Sequence, residues 1–262
     1  MNENVESEDD AMPHPRGVWI WYLNKIRQDY LQKLTAINCR RVYLKTLDDA
    51  SAGLFWSGNC SRDSIKQFTD LGIEVFGWGY IFDNRTKTDT KAILLAAERT
   101  IDCGCSGFVF DVETEIKDTN THKQLKEILE GSRDLIPDGN LGYTSFGHPG
   151  FHREIPWKLL FDACDLQFPQ MYYEKWNFGA SNKAEVGAAM RAHKELGLSG
   201  KPILPIWGSE SDTRSDRATS AIELQWFLDN YPGSSVWRVP NIGERGQAWN
   251  VDYSVIHTGD VK

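Results

Sequence analysis

The stretch "GFVFDVE", residues 107 to 113, is the segment on which the fold prediction turns. It begins as a continuous apolar run, which is typical of a strand covered by helices. It ends with two carboxylates, Asp111 and Glu113, at alternate positions. Side chains alternate along a strand, so Phe108 and Phe110 face one way and the two acids face the other. We expect the aromatic side chains to pack under helices and the acids to face the axis of a barrel.

The rest of the chain repeats this pattern of a short β-rich run followed by an amphipathic helical run. Each unit is about thirty residues long, the size of a βαβ repeat. We predict strands over 17–23, 40–46, 73–80, 107–113, 141–147, 166–174, 201–208 and 234–240. Eight such units predict a single-domain α/β protein, a (β/α)8 TIM barrel over residues 16–262, preceded by a flexible acidic tail over 1–15.

The alternative α/β architecture is an open doubly wound sheet. That fold usually carries a glycine-rich phosphate-binding turn after its first strand. In this chain the first predicted strand ends within "WYLNK", residues 21–25, which contains no glycine. The sequence therefore favours the closed barrel.

Charge and composition restrict the possible partners and cofactors. The net charge is −8 and there is no concentrated basic stripe, which argues against nucleic acid and anionic membranes. No apolar run is long enough to span a bilayer, and the acidic start does not resemble a signal peptide. We therefore expect a cytoplasmic protein, with release by lysis or non-classical export left open. Oligomeric state is not predicted.

The cysteines give no sign of a disulfide framework or of a metal site. Their number is five, which is odd, and Cys103 and Cys105 have no second pair or nearby histidine to complete a zinc set. We predict free thiols, no metal and no cofactor.

Most of the ten tryptophans fall near the carboxyl ends of the predicted strands. In a barrel of this kind, ligands bind at that end. Flat aromatic rings stack on the apolar faces of sugars, whereas core packing would scatter tryptophans over helices and strand centres as well. We predict a carbohydrate site; its tryptophans are Trp19, Trp21, Trp78, Trp176, Trp207 and Trp237.

The acid pair adds chemistry to this aromatic surface. Two acids separated by one residue on a strand have Cα atoms about 7 Å apart, so both carboxyls can act on one substrate. Mutual repulsion and partial burial raise the pKa of one carboxyl, which creates a proton donor for a glycosidic oxygen. A solvated acidic strand end is the simpler interpretation, and we prefer it for Glu115 and Asp118. For Asp111 and Glu113 we predict catalysis.

These residues resemble family 18 glycoside hydrolases, the chitinase-like barrels. That family carries D-x-x-D-x-D-x-E on strand four, M-x-Y-D on strand six and a tryptophan at the end of strand eight. Here "GFVFDVE" matches the end of the first motif, and residues 171–174, "MYYE", are similar to the second. Trp237 in "SSVWRVP" corresponds to the third.

The resemblance implies a role for each matching residue. Glu113 would be the general acid/base, and Asp111 would orient the 2-acetamido group whose oxygen attacks the anomeric carbon. Tyr173 would hydrogen-bond the acetamido oxygen, and Glu174 would bind a hydroxyl. Trp237 would stack under the reacting sugar. Met171 and Tyr172 complete the predicted substrate-binding set.

The two earlier aspartates of the strand-four motif are replaced by Ser106 and Val109. Three further interpretations therefore stay open. Family 25 lysozymes also use D-x-E on a barrel strand, but they require an aspartate near the end of strand one, which this chain lacks. A related glycosidase-like barrel and a non-catalytic sugar-binding barrel are the other two.

A metal-dependent hydrolase is a weaker alternative. His148 or His152 would have to join the acid pair, but neither belongs to a metal-binding motif.

The predicted function is a retaining glycoside hydrolase that acts on a β-linked N-acetylhexosamine polymer, either chitin-like or peptidoglycan.

Overall fold

Eight parallel strands form a closed barrel in the computed structural model of the chain. The structure describes residues 14–26, 28–36, 39–49, 54–82, 88–172, 182–208 and 221–242. The strands are β1 (Gly17–Ile20), β2 (Arg41–Asp48), β3 (Glu74–Tyr80), β4 (Gly107–Asp111), β5 (Leu141–Phe146), β6 (Leu166–Met171), β7 (Ile206–Gly208) and β8 (Ser235–Trp237). Each of the eight predicted ranges contains one of these strands, but β1, β6, β7 and β8 are shorter than predicted, and residues 173–174 of the sixth range lie outside the described residues. Most of the predicted tail, residues 1–13, lies outside the described part.

Each strand pairs in parallel with its neighbour in sequence, and β8 pairs with β1 to close the barrel. The closing contact sets Val18 of β1 beside Val236 of β8. A parallel pair needs a crossover connection, and helices supply it. The (β/α)8 prediction is therefore confirmed, and the open doubly wound alternative is excluded.

Seven helices are present among the described residues. They are α1 (Tyr30–Ala36), α2 (Arg62–Thr69), α3 (Thr90–Asp102), α4 (His122–Arg133), α5 (Trp157–Ala163), α6 (Asn182–Glu195) and α7 (Ala221–Asn230). Ser61 caps α2: its hydroxyl accepts from the Ser64 N–H, and the Ser64 hydroxyl accepts from the Ser61 N–H. None of the described helices has both the length and the apolar character needed to cross a membrane.

Apolar side chains on the two faces of the strands fill separate regions. The barrel interior contains a cluster of large rings; it includes Trp19, Tyr43, Phe76, Trp78, Val109 and Phe168. The opposite faces pack against the helices, as Phe108, Phe110 and Val112 of the β4 segment do. The alternation predicted for "GFVFDVE" is thus confirmed, and inward residues at the carboxyl ends of the strands remain available for a site.

Glycine is required where β4 begins. A Cβ on Gly107 would lie 2.6 Å from the Asn140 carbonyl oxygen and 2.6 Å from the Phe76 ring. A Cβ on Gly58, in an exposed turn, would meet no neighbouring atom within 4 Å. We expect Gly107→Ala to lower the free energy of unfolding by about 1–3 kcal/mol in urea titrations, because overpacking displaces backbone. Gly58→Ala is the control and should change it by less than about 0.5 kcal/mol; equal effects would contradict this account.

Candidate active site

The two predicted acids lie together at the carboxyl end of β4. Asp111 is the last residue of the strand and only 8% exposed, and Glu113 follows two residues later and is partly exposed. The Gln170 side-chain amide donates to both, at 3.3 Å to Asp111 Oδ1 and 3.0 Å to Glu113 Oε1. One nitrogen can reach both carboxylates only if they converge. The convergence expected from the D-x-E spacing is therefore present.

Gln170 is a site residue to which sequence analysis assigned no role. It lies on β6, and its Nε2 also approaches Thr144 Oγ1 of β5 at 3.5 Å. Thr144 is buried and donates its hydroxyl to the Phe168 carbonyl oxygen at 2.7 Å. This chain of contacts fixes the amide between the two acids. In the sequence Gln170 directly precedes the segment that matches M-x-Y. Assigning it to the site required knowing which face of β6 points into the barrel.

Burial controls the protonation of Asp111. Loss of hydration is the largest effect, and together with the neighbouring Glu113 carboxylate it raises the pKa of Asp111 well above its ordinary value. Asp48 and Glu115 act in the same direction, and Lys45 opposes them. Two interacting acids titrate as a pair, so the pair retains a proton at a higher pH than an isolated aspartate would.

Tyr80 forms the edge of the site beside the acids. In the barrel register it stands between Asp48 of β2 and Asp111 of β4, and its hydroxyl donates to Glu115 Oε2 at 2.7 Å. Burial, the Glu115 hydrogen bond and the adjacent carboxylates raise the pKa of Tyr80. Tyr80 therefore stays a neutral hydrogen-bond donor, and Glu115 is held by a structural contact.

Aromatic rings surround this end of the barrel. The ring centroid of Trp237 lies 5.4 Å from that of Trp78, 5.9 Å from Trp21 and 6.0 Å from Trp19. Trp21 and Trp237 are partly exposed, whereas Trp19 and Trp78 are 1% and 2% exposed. Trp19 is stacked on Tyr43 and donates to Ser235 Oγ. The first pair can offer a face to a ligand, whereas the second pair supports the first from below.

The structure differs from the sequence expectation at Met171 and Trp207. Both side chains belong to the outer core between strands and helices, and the Trp207 ring lies 5.0 Å from Phe227 of α7. Both are 1% exposed. Neither faces the site. The M-x-Y-D match assumed that Met171 points inward, but β6 turns Gln170 inward instead, and a shift of one residue exchanges the two faces of a strand.

Tyr172 takes an inner position next to the tryptophans. Its ring centroid lies 6.3 Å from that of Trp237, and it packs against the interior cluster. Tyr172 is partly exposed, so its ring is available to a ligand. The predicted residues Tyr173, Glu174 and Trp176 lie outside the described residues.

The two histidines of the weaker metal hypothesis form ring stacks. His148 stacks on Phe151 with centroids 3.9 Å apart, and His152 stacks on Phe146 at 3.8 Å. Lys117 Nζ lies 3.0 Å from His152 Nδ1, and burial together with this lysine lowers the pKa of His152. Within the described ranges, no three His, Cys, Asp or Glu side chains are grouped to hold a metal ion.

Comparison with known proteins identifies similar folds. No family model matches the sequence, and no curated protein does. The catalytic domain of a hyperthermophilic chitinase from Pyrococcus furiosus has a TM-score of 0.66 at 14% identity, covering 94% of this chain and 93% of that chain. A chitinase from Chromobacterium violaceum gives 0.63 at 12% identity, covering 95% and 99%. A GH113 beta-1,4-mannanase gives 0.60 at 12% identity, covering 87% and 89%.

These identities are low, and a barrel of this kind supports many activities, so similarity of fold alone does not assign one. The neighbours are nevertheless glycoside hydrolases whose barrels match almost end to end. The chain shares the closed eight-stranded barrel of these enzymes.

Proposed function

We propose that the protein is a retaining glycoside hydrolase that cleaves a β-linked N-acetylhexosamine polymer, chitin-like or peptidoglycan. The observation that carries this proposal is the single Gln170 amide bound to both Asp111 and Glu113. It brings two carboxylates together at the end of the barrel where this fold binds substrates. The similarity to chitinase and mannanase barrels supports the general class.

Each acid has a role that suits its environment. Glu113 is the more accessible of the two and is the general acid that protonates the glycosidic oxygen. Asp111 is buried and accepts the N–H of the substrate's 2-acetamido group. That contact stabilises the ionised form of Asp111, which places the proton of the pair on Glu113 when substrate binds. The acetamido oxygen then attacks the anomeric carbon as the leaving group departs.

Aromatic residues hold the sugar during this step. Trp237 and Trp21 stack on sugar faces, and Trp19 and Trp78 buttress them. Tyr172 packs beside Trp237 and extends this aromatic surface. The family resemblance gives the hydrogen bond to the acetamido oxygen to Tyr173. Roles for Tyr173, Glu174 and Trp176 in the same site remain predictions.

Product analysis tests the proposal. Incubation with chitooligosaccharides and with peptidoglycan should generate new reducing ends on at least one of them. Proton NMR at early times should show the β-anomer first, because acetamido participation retains configuration. An initial α-anomer would contradict the mechanism, and no new reducing ends on either glycan would contradict the enzyme assignment.

A non-catalytic sugar-binding barrel is the second candidate, and Val109 is the observation that favours it. This fully buried apolar side chain occupies the place of a family carboxylate below Asp111. Calorimetric binding of chitooligosaccharides without cleavage would support this alternative.

Two tryptophans at neighbouring strand ends should behave in opposite ways. Trp237→Ala removes a partly exposed stacking face, so we expect oligosaccharide affinity to fall about tenfold. Trp207→Phe leaves a gap against Phe227 and should lower the free energy of unfolding by about 1 kcal/mol or more at unchanged affinity. Calorimetry measures the oligosaccharide affinity of both variants, and urea unfolding measures their stability. Weakened sugar binding in Trp207→Phe would contradict the assignment of Trp207 to the outer face of the barrel.

A further inference from the structure

Lys45 is a buried lysine on β2 whose side chain is 4% exposed. Three tryptophan rings surround its ammonium, with Nζ 4.8 Å from the Trp21 centroid, 4.9 Å from Trp56 and 4.9 Å from Trp78. All three distances lie within the range of cation–π attraction. A buried ammonium costs several kcal/mol unless it is paired, and an apolar residue usually serves the fold as well. Its presence among these rings therefore calls for a role in the site.

A β-bulge provides the partner of this lysine. Lys45 faces Trp78 in the register, but the pairing then shifts so that Leu47 faces Gly79 and Asp48 faces Tyr80. The extra residue lets both Lys45 and Asp48 point toward the site, where Lys45 Nζ and Asp48 Oδ2 lie 2.9 Å apart. Strict alternation would have turned Asp48 away.

Asn59 holds the backbone beneath this ion pair. Its amide donates to the Lys45 carbonyl oxygen at 2.9 Å and to the Trp21 carbonyl oxygen at 2.7 Å. Its own oxygen accepts from the Leu23 N–H at 3.0 Å. A buried side chain thus ties the ends of β1 and β2 together, so that the lysine and one of its rings keep their positions.

Negative charges outnumber positive charges around Asp111. Glu113, Asp48 and Glu115 are negative and disfavour its ionised form, while Lys45 is the positive group that acts on it most. Among the residues that the structure describes, the neighbours of Asp111 on β3, β5 and β6 are neutral: Tyr80, Thr144 and Gln170. Arg238 of the β8 end lies over the Trp21 ring at 5.2 Å. Val109, level with Lys45 and Trp78 in the register, contributes no charge.

We propose that Lys45 is a positioning residue whose buried ammonium, fixed by Asp48 and three tryptophan rings, supplies the positive charge that lets Asp111 ionise in the working site. In the related motif another carboxylate lies at the position of Val109 and can share a proton with the aspartate. Here a cation on β2, which is separated from β4 by β3, compensates for the missing group. Its catalytic consequence rests on the proposed function, but its effect on Asp111 does not.

Carboxyl ¹³C NMR measures this effect without any substrate. The Asp111 resonance, assigned by its loss in Asp111→Asn, is titrated in the wild type and in two variants. Lys45→Met removes the cation and should raise the midpoint of Asp111 by about one pH unit. Asp48→Asn removes an anion and should lower the same midpoint. A merely structural disturbance would not shift the Asp111 midpoint in opposite directions in the two variants.

Lys66→Met is the matched control. Lys66 lies on α2 with its side chain 67% exposed and pairs with Asp70, so its loss should leave the Asp111 midpoint unchanged. An unchanged midpoint in Lys45→Met, or a shift in the same direction in both site variants, overturns the proposal. If Lys45→Met does not fold, Lys45→Gln removes the charge while keeping a polar side chain, and an Asp111 midpoint that fails to rise in that variant overturns the proposal.

The activity readout separates this proposal from the proposed function. If the wild type cleaves a glycan, Lys45→Met should move the acidic limb of the pH–kcat profile to higher pH by a similar amount. If no glycan is cleaved but the NMR midpoints move as expected, the hydrolase assignment fails and the electrostatic role of Lys45 stands.

Discussion

We expect Glu113→Gln to lower the rate of glycan cleavage by at least about 100-fold, because a general acid contributes a factor of this size or more and an amide cannot donate the proton. The fold should be unchanged. The Gln170 amide donates to Glu113 Oε1 at 3.0 Å, and a glutamine oxygen at that position can accept the same hydrogen bond. The measurement is the rate of reducing-end formation, with oligosaccharide affinity from calorimetry expected to stay within a few-fold of the wild type.

Glu115→Gln is the matched control for this variant. Glu115 belongs to the same acidic segment but accepts from the Tyr80 hydroxyl, and neither Glu115 nor its contact is assigned a role in proton transfer. We expect its activity to remain within about tenfold of the wild type. Full turnover in Glu113→Gln, or an equal loss in both variants, would show that Glu113 is not the acid.

Asp111→Asn should lower activity and raise stability in the same molecule. Activity should fall about 100-fold or more, because the acetamido group loses its charged partner. The free energy of unfolding at pH 7 should rise, since burial raises the pKa of Asp111 and its ionised carboxylate therefore destabilises the folded state. Urea titrations and reducing-end assays measure the two effects.

The stability gain should depend on pH in a defined direction. The folded-state pKa of Asp111 is raised above its unfolded value of about 3.9, so the ionised carboxylate destabilises the native state above the folded pKa. This penalty disappears as the pH falls from the folded pKa to the unfolded one. The stability difference between Asp111→Asn and the wild type should therefore shrink in acid.

Asp70→Asn provides the comparison for the stability effect. Asp70 is exposed and paired with Lys66, so its replacement should change the free energy of unfolding by less than about 0.5 kcal/mol at neutral pH. If Asp111→Asn is less stable than the wild type at pH 7, the ionised Asp111 carboxylate does not destabilise the folded state.

Parts of the site were predictable because they follow from local spacing. Asp111 and Glu113 share a face by the period of a strand, and the alternating aromatic residues indicated that this face is the inner one. Trp21, Trp237 and Tyr172 were expected at strand ends and lie there partly exposed. Trp19 and Trp78 were also placed correctly along their strands, but nothing in the sequence separates a ring that supports the site from one that contacts ligand.

Other parts depended on relations between distant segments. Gln170 touches acids that are 59 and 57 positions away in the chain, so no local pattern could pair them. Met171 and Trp207 were misassigned because a continuous apolar strand does not show which of its faces is inner. Lys45 was hidden in the apolar run "RVYLKTL", and the bulge that directs Asp48 toward it appears only in the register with β3.

The sequence by itself determined the number and order of the strands, the closed barrel and the strand that carries the acids, because these follow from periodicity and repeat length. Only the tertiary structure decided which side chains meet at the mouth of the barrel. Closing eight strands brings residues from β2, β4, β6 and β8 around one axis, and the facing of each one depends on register shifts that cross-strand packing sets. That is why the acid pair was foreseen, while the amide and the lysine beside it were not.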